Sequence, residues 1–136
     1  MKKIKAVLLE QLDIQKKVTR LSHEIIENNT DLDKIAIVGI RTRGEVLAQR
    51  IMKIIENISG KKIEYGTIDV TFYRDDFRTN LGSPRIGSSD ILFKVEGKNI
   101  ILVDDVLYTG RTIRAAMDDL FSFGRPSTIK LAVLVD

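Results

Sequence analysis

The sequence predicts an α/β fold, a mainly parallel central sheet flanked by helices and carrying one long flexible loop. Three features support it. Short β-branched runs alternate with stretches whose apolar residues recur every three or four positions, the pattern of strand–helix–strand units. The runs are punctuated by polar or glycine-containing turns. One of them, "ILVDD" (Ile101 to Asp105), ends in two carboxylates, where an open parallel sheet offers its ligand edge.

Taken in order, Ile14, Val18, Leu21 and Ile25 fall four, three and four residues apart and trace one helix face between Leu12 and Asn29. "KIAIVG" (Lys34 to Gly39) is a short strand, "IRTRG" a polar turn, and "EVLAQRIMKIIENI" a helix with Val46, Ile51, Ile54 and Ile55 as its apolar positions. Lys61 to Arg74 has strand composition, with Ile63, Tyr65, Ile68, Val70 and Phe72 as inward candidates. Asp75 to Lys94 is rich in Gly, Ser, Arg and Asp and reads as a long mobile loop or hairpin, of a length often used for lids and binding segments. "KNIILVDD" is the next strand. "RTIRAAMDDLFSFG" is a helix with Ile113, Met117 and Leu120 on one face, stopped by Gly124 and Pro126. "STIKLAVLVD" is the last strand.

The totals bound the chemistry. At 136 residues, 43% hydrophobic and 30% charged, the chain has the size and composition of one globular domain. The absence of cysteine excludes disulfides, thiolate metal sites and cysteine nucleophiles, and a single histidine excludes a multi-histidine metal site. The basic start is interrupted by Glu10 and Asp13, too early for a signal peptide, and no apolar stretch is long enough to span a membrane, so a cytoplasmic protein without a membrane partner is expected. Residues 1–60 carry 11 Lys/Arg against 8 Asp/Glu, whereas 61–136 carry 11 against 11, a slight lean toward an anionic partner in the first half.

"LYTGRT" after the diacid supplies what a phosphate needs. Gly110 lets the backbone approach closely, Thr109 and Thr112 offer hydroxyls, and a helix beginning near Arg111 directs free N–H groups and its positive dipole end at an anion. Two acids beside a phosphate cradle would repel a bare anion. They suit a ligand that also donates hydroxyls, as the ribose 2′ and 3′ positions do. The plainer alternative makes Asp104 a helix cap and Asp105 a solvated surface acid. "GIRTRG" (Gly39 to Gly44) follows a strand and precedes a helix, so Arg41, Thr42 and Arg43 are expected at the same edge as the diacid; alone it would be an ordinary basic turn. On the first helix, Thr19, Arg20 and His23 share a surface away from the apolar stripe.

"ILVDDVLYTGRT" resembles the signature of type I phosphoribosyltransferases, which bind phosphoribosyl pyrophosphate (PRPP). Together with "TRLSHEIIE", "VGIRTRG", "DVTFYRDD" and "GRPSTIKLAVLVD" in the same order, it resembles the PyrR family of pyrimidine-operon regulators, along nearly the whole chain. The resemblance implies a uracil phosphoribosyltransferase that also attenuates transcription by binding messenger RNA. Asp104 and Asp105 would bind the ribose hydroxyls, and Val106, Leu107, Tyr108, Thr109, Gly110, Arg111 and Thr112 would complete the PRPP and nucleotide site. Arg41, Thr42 and Arg43 would receive pyrophosphate. Arg74 would join Asp104 and Asp105 as catalytic residues, at the start of a flap closing over the site. Mg2+ would accompany PRPP, with no direct protein ligand. Thr19, Arg20 and His23 would contact RNA. Uracil, uridine nucleotides and pyrimidine-operon mRNA are the implied partners, in a homo-oligomer of two or more copies.

The family continues past the strand matching "LAVLVD" into a basic segment and a loop over uracil. The chain here ends at Asp136, so a single domain over 1–136 lacking that C-terminal segment is expected. Two other readings stay open: a nucleotide-sensing RNA binder without turnover, and a transferase for another nucleobase.

Overall fold

The computed structural model describes residues 2–41, 43–70, 89–106 and 110–135; the side chains of 2–10, 106, 110–112 and 135 lie outside that description. Its order is α1 (Lys2–Asn28), a single 3-10 turn (Leu32–Lys34), β1 (Ile35–Ile40), α2 (Arg43–Ser59), β2 (Glu64–Ile68), β3 (Asn99–Val106), α3 (Gly110–Phe123) and β4 (Thr128–Val135). The strands form one sheet in the order β2-β1-β3-β4 with every strand pair parallel.

Strand alternation sorts the core into two halves. On β1, Ile35 and Ile37 point to one face while Ala36, Val38 and Ile40 point to the other; on β3, Ile101 and Val103 oppose Ile100 and Leu102. The first set packs with Val18 and Ile25 of α1 and with Leu47, Ala48, Ile51 and Ile55 of α2. The second packs with Ala115, Ala116 and Leu120 of α3. All six β1 residues are buried, as a central parallel strand covered on both faces requires.

That division fixes where a ligand can enter. The chain leaves β1 through α2 to β2 on one side and leaves β3 through α3 to β4 on the other. The strand order therefore reverses between β1 and β3, and the crevice beyond their carboxyl ends is the sheet's switch point. The carboxyl ends of β1 at Ile40 and of β3 at Val106 both lie on that edge.

Several expectations shift. The helix expected from Leu12 runs from Lys2, and α2 begins at Arg43, so Arg43 and Gly44 belong to its first turn and not to a loop. Val46 is 55% exposed; the buried stripe of α2 is Leu47, Ala48, Ile51 and Ile55. β2 ends at Ile68, short of the Lys61–Arg74 span, and Asp90 in the expected loop returns to make an antiparallel bridge with Thr67. No described helix is long and apolar enough to cross a membrane.

Candidate functional site

Two glycines let the start of α2 pack closely on the sheet, Gly44 against β3 and Gly39 of β1 against α2. A Cβ on Gly44 would lie 2.3 Å from the Val103 carbonyl oxygen and 3.1 Å from the Asp104 Cα. One on Gly39 would lie 2.6 Å from the Gly44 carbonyl oxygen. Only hydrogen fits at either place, so the first turn of α2 packs directly on the backbone that carries the diacid.

Alternation along β3 then decides what each acid meets. Asp104 continues the Ile100, Leu102 side, toward α3, and Asp105 the Ile101, Val103 side, toward α2. Asp105 Oδ2 accordingly lies 3.5 Å from Arg43 Nη1 at the start of α2. The Arg43 side chain is 83% exposed, so the attraction is largely screened. The Asp104 carboxylate turns back on the chain, its Oδ1 accepting the Asp105 N–H at 2.8 Å. Both acids are half-buried, so Asp105 is not the fully solvated surface acid of the plainer alternative. α3 begins at Gly110, within four residues of the end of β3, so Gly110, Arg111 and Thr112 form its first turn beside the diacid.

The two arginine side chains diverge. Arg41 extends the sheet, its N–H donating to the Ile68 carbonyl at 2.9 Å, and its guanidinium runs toward β2. There Nη2 donates to Thr67 Oγ1 at 3.0 Å and Nε stands 3.7 Å from Glu45 Oε1, beyond hydrogen-bond range. Among the described residues that Nε–H is buried without a hydrogen-bond acceptor, Glu45 being its ion-pair neighbour. Arg43 points the opposite way, to the diacid. Sequence reasoning missed Thr67 because it reads as an ordinary strand residue; the β1–β2 register, Gly39 opposite Thr67, brings it to Arg41, whereas Glu45 lies four residues after Arg41 in the first turn of α2.

Thr42, Arg74, Leu107, Tyr108 and Thr109 lie outside the described residues, and Val106 is placed by its backbone, paired with Val135. Thr19, Arg20 and His23 are all exposed on α1, remote in sequence from the diacid strand; Thr19 Oγ1 donates to the Gln15 carbonyl at 2.9 Å. Among the described residues no cluster of three or more His, Cys, Asp or Glu could hold a metal ion.

Residues 7–136 match the family model "Phosphoribosyl transferase domain". A relative called "Bifunctional protein PyrR" from Thermoanaerobacter sp. (strain X514) is 49% identical over 134 residues, covering 98% of this chain and 75% of the relative. The protein of the same name from Bacillus cereus (strain AH820) is 52% identical, covering 97% and 74%. Among solved structures, a purine phosphoribosyltransferase from Pyrococcus horikoshii Ot3 matches with a TM-score of 0.67 at 23% identity, over 90% of this chain and 71% of that one. A hypoxanthine-guanine-xanthine phosphoribosyltransferase matches with a TM-score of 0.63 at 20% identity, over 90% and 62%. At such identities the structural likeness concerns the fold.

Proposed function

Because this chain belongs to the PyrR family of type I phosphoribosyltransferases, we propose that it transfers the phosphoribosyl group of PRPP to uracil and regulates pyrimidine genes by binding their mRNA. The observation that carries the first half is the switch point, where the Asp104–Asp105 pair, the Gly39–Gly44 turn and the first turn of α3 converge. Few ligands need a diol acceptor and two anion-binding ends in one crevice. PRPP does.

In this reading Asp104 and Asp105 accept hydrogen bonds from the ribose hydroxyls, and Val106 to Thr112 enclose the 5′-phosphate, with the N–H groups of the first turn of α3 as donors. Arg41, Thr42 and Arg43 receive the pyrophosphate. The exposed Arg43 guanidinium beside Asp105 supports this. Arg74 is assigned to the same leaving group as a third catalytic residue. Uracil N1 forms a bond to ribose C1 as the C1–O bond to pyrophosphate breaks, the electron pair leaving on pyrophosphate and the N1 proton passing to water. Positive charge grows on the sugar ring while the diacid holds the ring in line.

The residues present fit a magnesium ion carried by the substrate. Mg2+ favours phosphate oxygens and water, which PRPP and solvent would supply. Bound there, it would neutralise charge on the departing pyrophosphate. Incubation of the full chain with PRPP, Mg2+ and uracil should yield UMP and pyrophosphate; a folded sample that yields neither would refute the transferase reading.

The second half rests on Thr19, Arg20 and His23, exposed together on α1. Single-stranded loops and bulges are what such a polar, basic face can read. Uridine nucleotide in the PRPP site would then report pyrimidine supply to the RNA surface. A homo-oligomer and a reducing cytoplasm, suited to a chain without cysteine, complete the reading.

A further inference from the structure

Asp119 is a buried acid on the apolar face of α3, 8% exposed and next to the fully buried Leu120. Burial pushes its carboxyl above the ordinary range, while hydrogen bonds from Ser89 and Ser122 pull the other way. An apolar residue there would avoid the desolvation cost, so the acid's use lies in the bond it makes. Its Oδ2 accepts from Ser89 Oγ at 2.8 Å. The same Oγ accepts the Asp69 N–H at 3.2 Å, so one hydroxyl donates and accepts at once.

Ser89 and Asp69 stand on either side of residues 71–88. Just below them, Thr67 and Asp90 exchange both main-chain hydrogen bonds, at 3.0 and 2.8 Å. Val70, 2% exposed, is buried in the α3-side core. The outgoing chain and the returning chain are therefore joined to each other, and through one side chain to α3.

We propose that Asp119 and Ser89 are a positioning pair that ties both ends of the chain bracketing residues 71–88 to α3, the helix whose first turn lies beside the Asp104–Asp105 diacid. The pair touches no reacting atom. It holds Asp69 and Ser89 in place relative to α3, and its link to PRPP binding rests on the functional reading above. Thr67, which anchors Arg41, belongs to the same hydrogen-bonded base, so the pair also steadies the β2 side of the site.

The test compares the full-length wild-type chain with Ser89→Ala and with Asp119→Asn, which keeps an acceptor for the Ser89 hydroxyl. Amide hydrogen exchange in the ligand-free proteins reads the tether directly. Ser89→Ala should speed exchange at Asp69 and Asp90 by about tenfold or more while β1 and β3 stay protected, and Asp119→Asn should stay near wild type. In steady-state kinetics Ser89→Ala should raise the KM for PRPP roughly three- to tenfold with kcat within about twofold, and Asp119→Asn should leave both near their wild-type values. Unchanged exchange at Asp69 and Asp90 would overturn the proposal, and so would faster exchange with an unaltered KM. If the wild type neither binds nor consumes PRPP, the functional reading falls, while the exchange comparison still decides whether the pair holds the two chain ends.

Discussion

Arg43 and Asp105, 62 residues apart in sequence, meet across the switch point with Nη1 3.5 Å from Oδ2. The contact joins the start of α2 to the end of β3. It leaves a cation beside a carboxylate that we assign to the sugar, close enough to sense pyrophosphate on the same ligand. Arg43→Ala should change folding stability by less than about 1 kcal/mol, because the Arg43 guanidinium is solvent-exposed. It should weaken PRPP binding by roughly tenfold, the worth of one charge-assisted hydrogen bond. Urea unfolding and calorimetric titration separate the two effects.

Gly44 and Gly39 are packing requirements, and their substitution should act on the fold. Gly44→Ala places a methyl 2.3 Å from the Val103 carbonyl oxygen, a backbone atom that cannot swing aside. Overpacking of this kind costs on the order of 1–3 kcal/mol or more. Gly60→Ala is the instructive contrast: it has open space but a positive φ of 71°, so it should cost on the order of 1 kcal/mol through backbone strain alone. Denaturant midpoints of the two variants check the order.

Asp119 makes a pH prediction. Its folded-state carboxyl titrates above the ordinary range, so the folded state holds the proton more tightly than the unfolded chain. The resulting contribution to stability is fully present below the ordinary aspartate value and is lost as pH rises through the raised one. Asp119→Asn is neutral throughout and keeps the Ser89 acceptor. Its stability relative to wild type should therefore rise as pH goes from about 4 toward neutrality, read by thermal melts across that interval.

Arg20→Ala should leave unfolding unchanged, since the side chain is exposed on α1, and should weaken UMP-dependent retention of a pyrimidine-leader RNA. Retention indifferent both to UMP and to this substitution would remove the regulatory half of the reading.

The sheet and its switch point were legible because parallel strands covered on both faces must be apolar at every position, and "KIAIVG" and "NIILV" are. The helical stripes at Val18, Ile25, Ile51, Ile55 and Leu120 were legible from spacing. Val46 was misread because an apolar residue one position off the stripe looks like part of it. The diacid, the glycine turn and the α3 start were legible as a motif. What each acid faces was not, because it depends on alternation along β3 and on which helix covers which face. The divergence of Arg41 from Arg43 and the Ser89–Asp119 bond depend on register between segments 26 and 30 residues apart, and no local periodicity encodes them.

The central claim is that Asp104 and Asp105 hold the sugar diol of PRPP. Calorimetric titration of Mg2+–PRPP into the wild type, Asp104→Asn and Asp105→Asn tests it most directly. Each substitution should reduce affinity by roughly ten- to a hundredfold, the loss of a hydrogen bond to a charged acceptor, with the folded state retained. Affinity within about twofold of wild type in both variants would contradict the account.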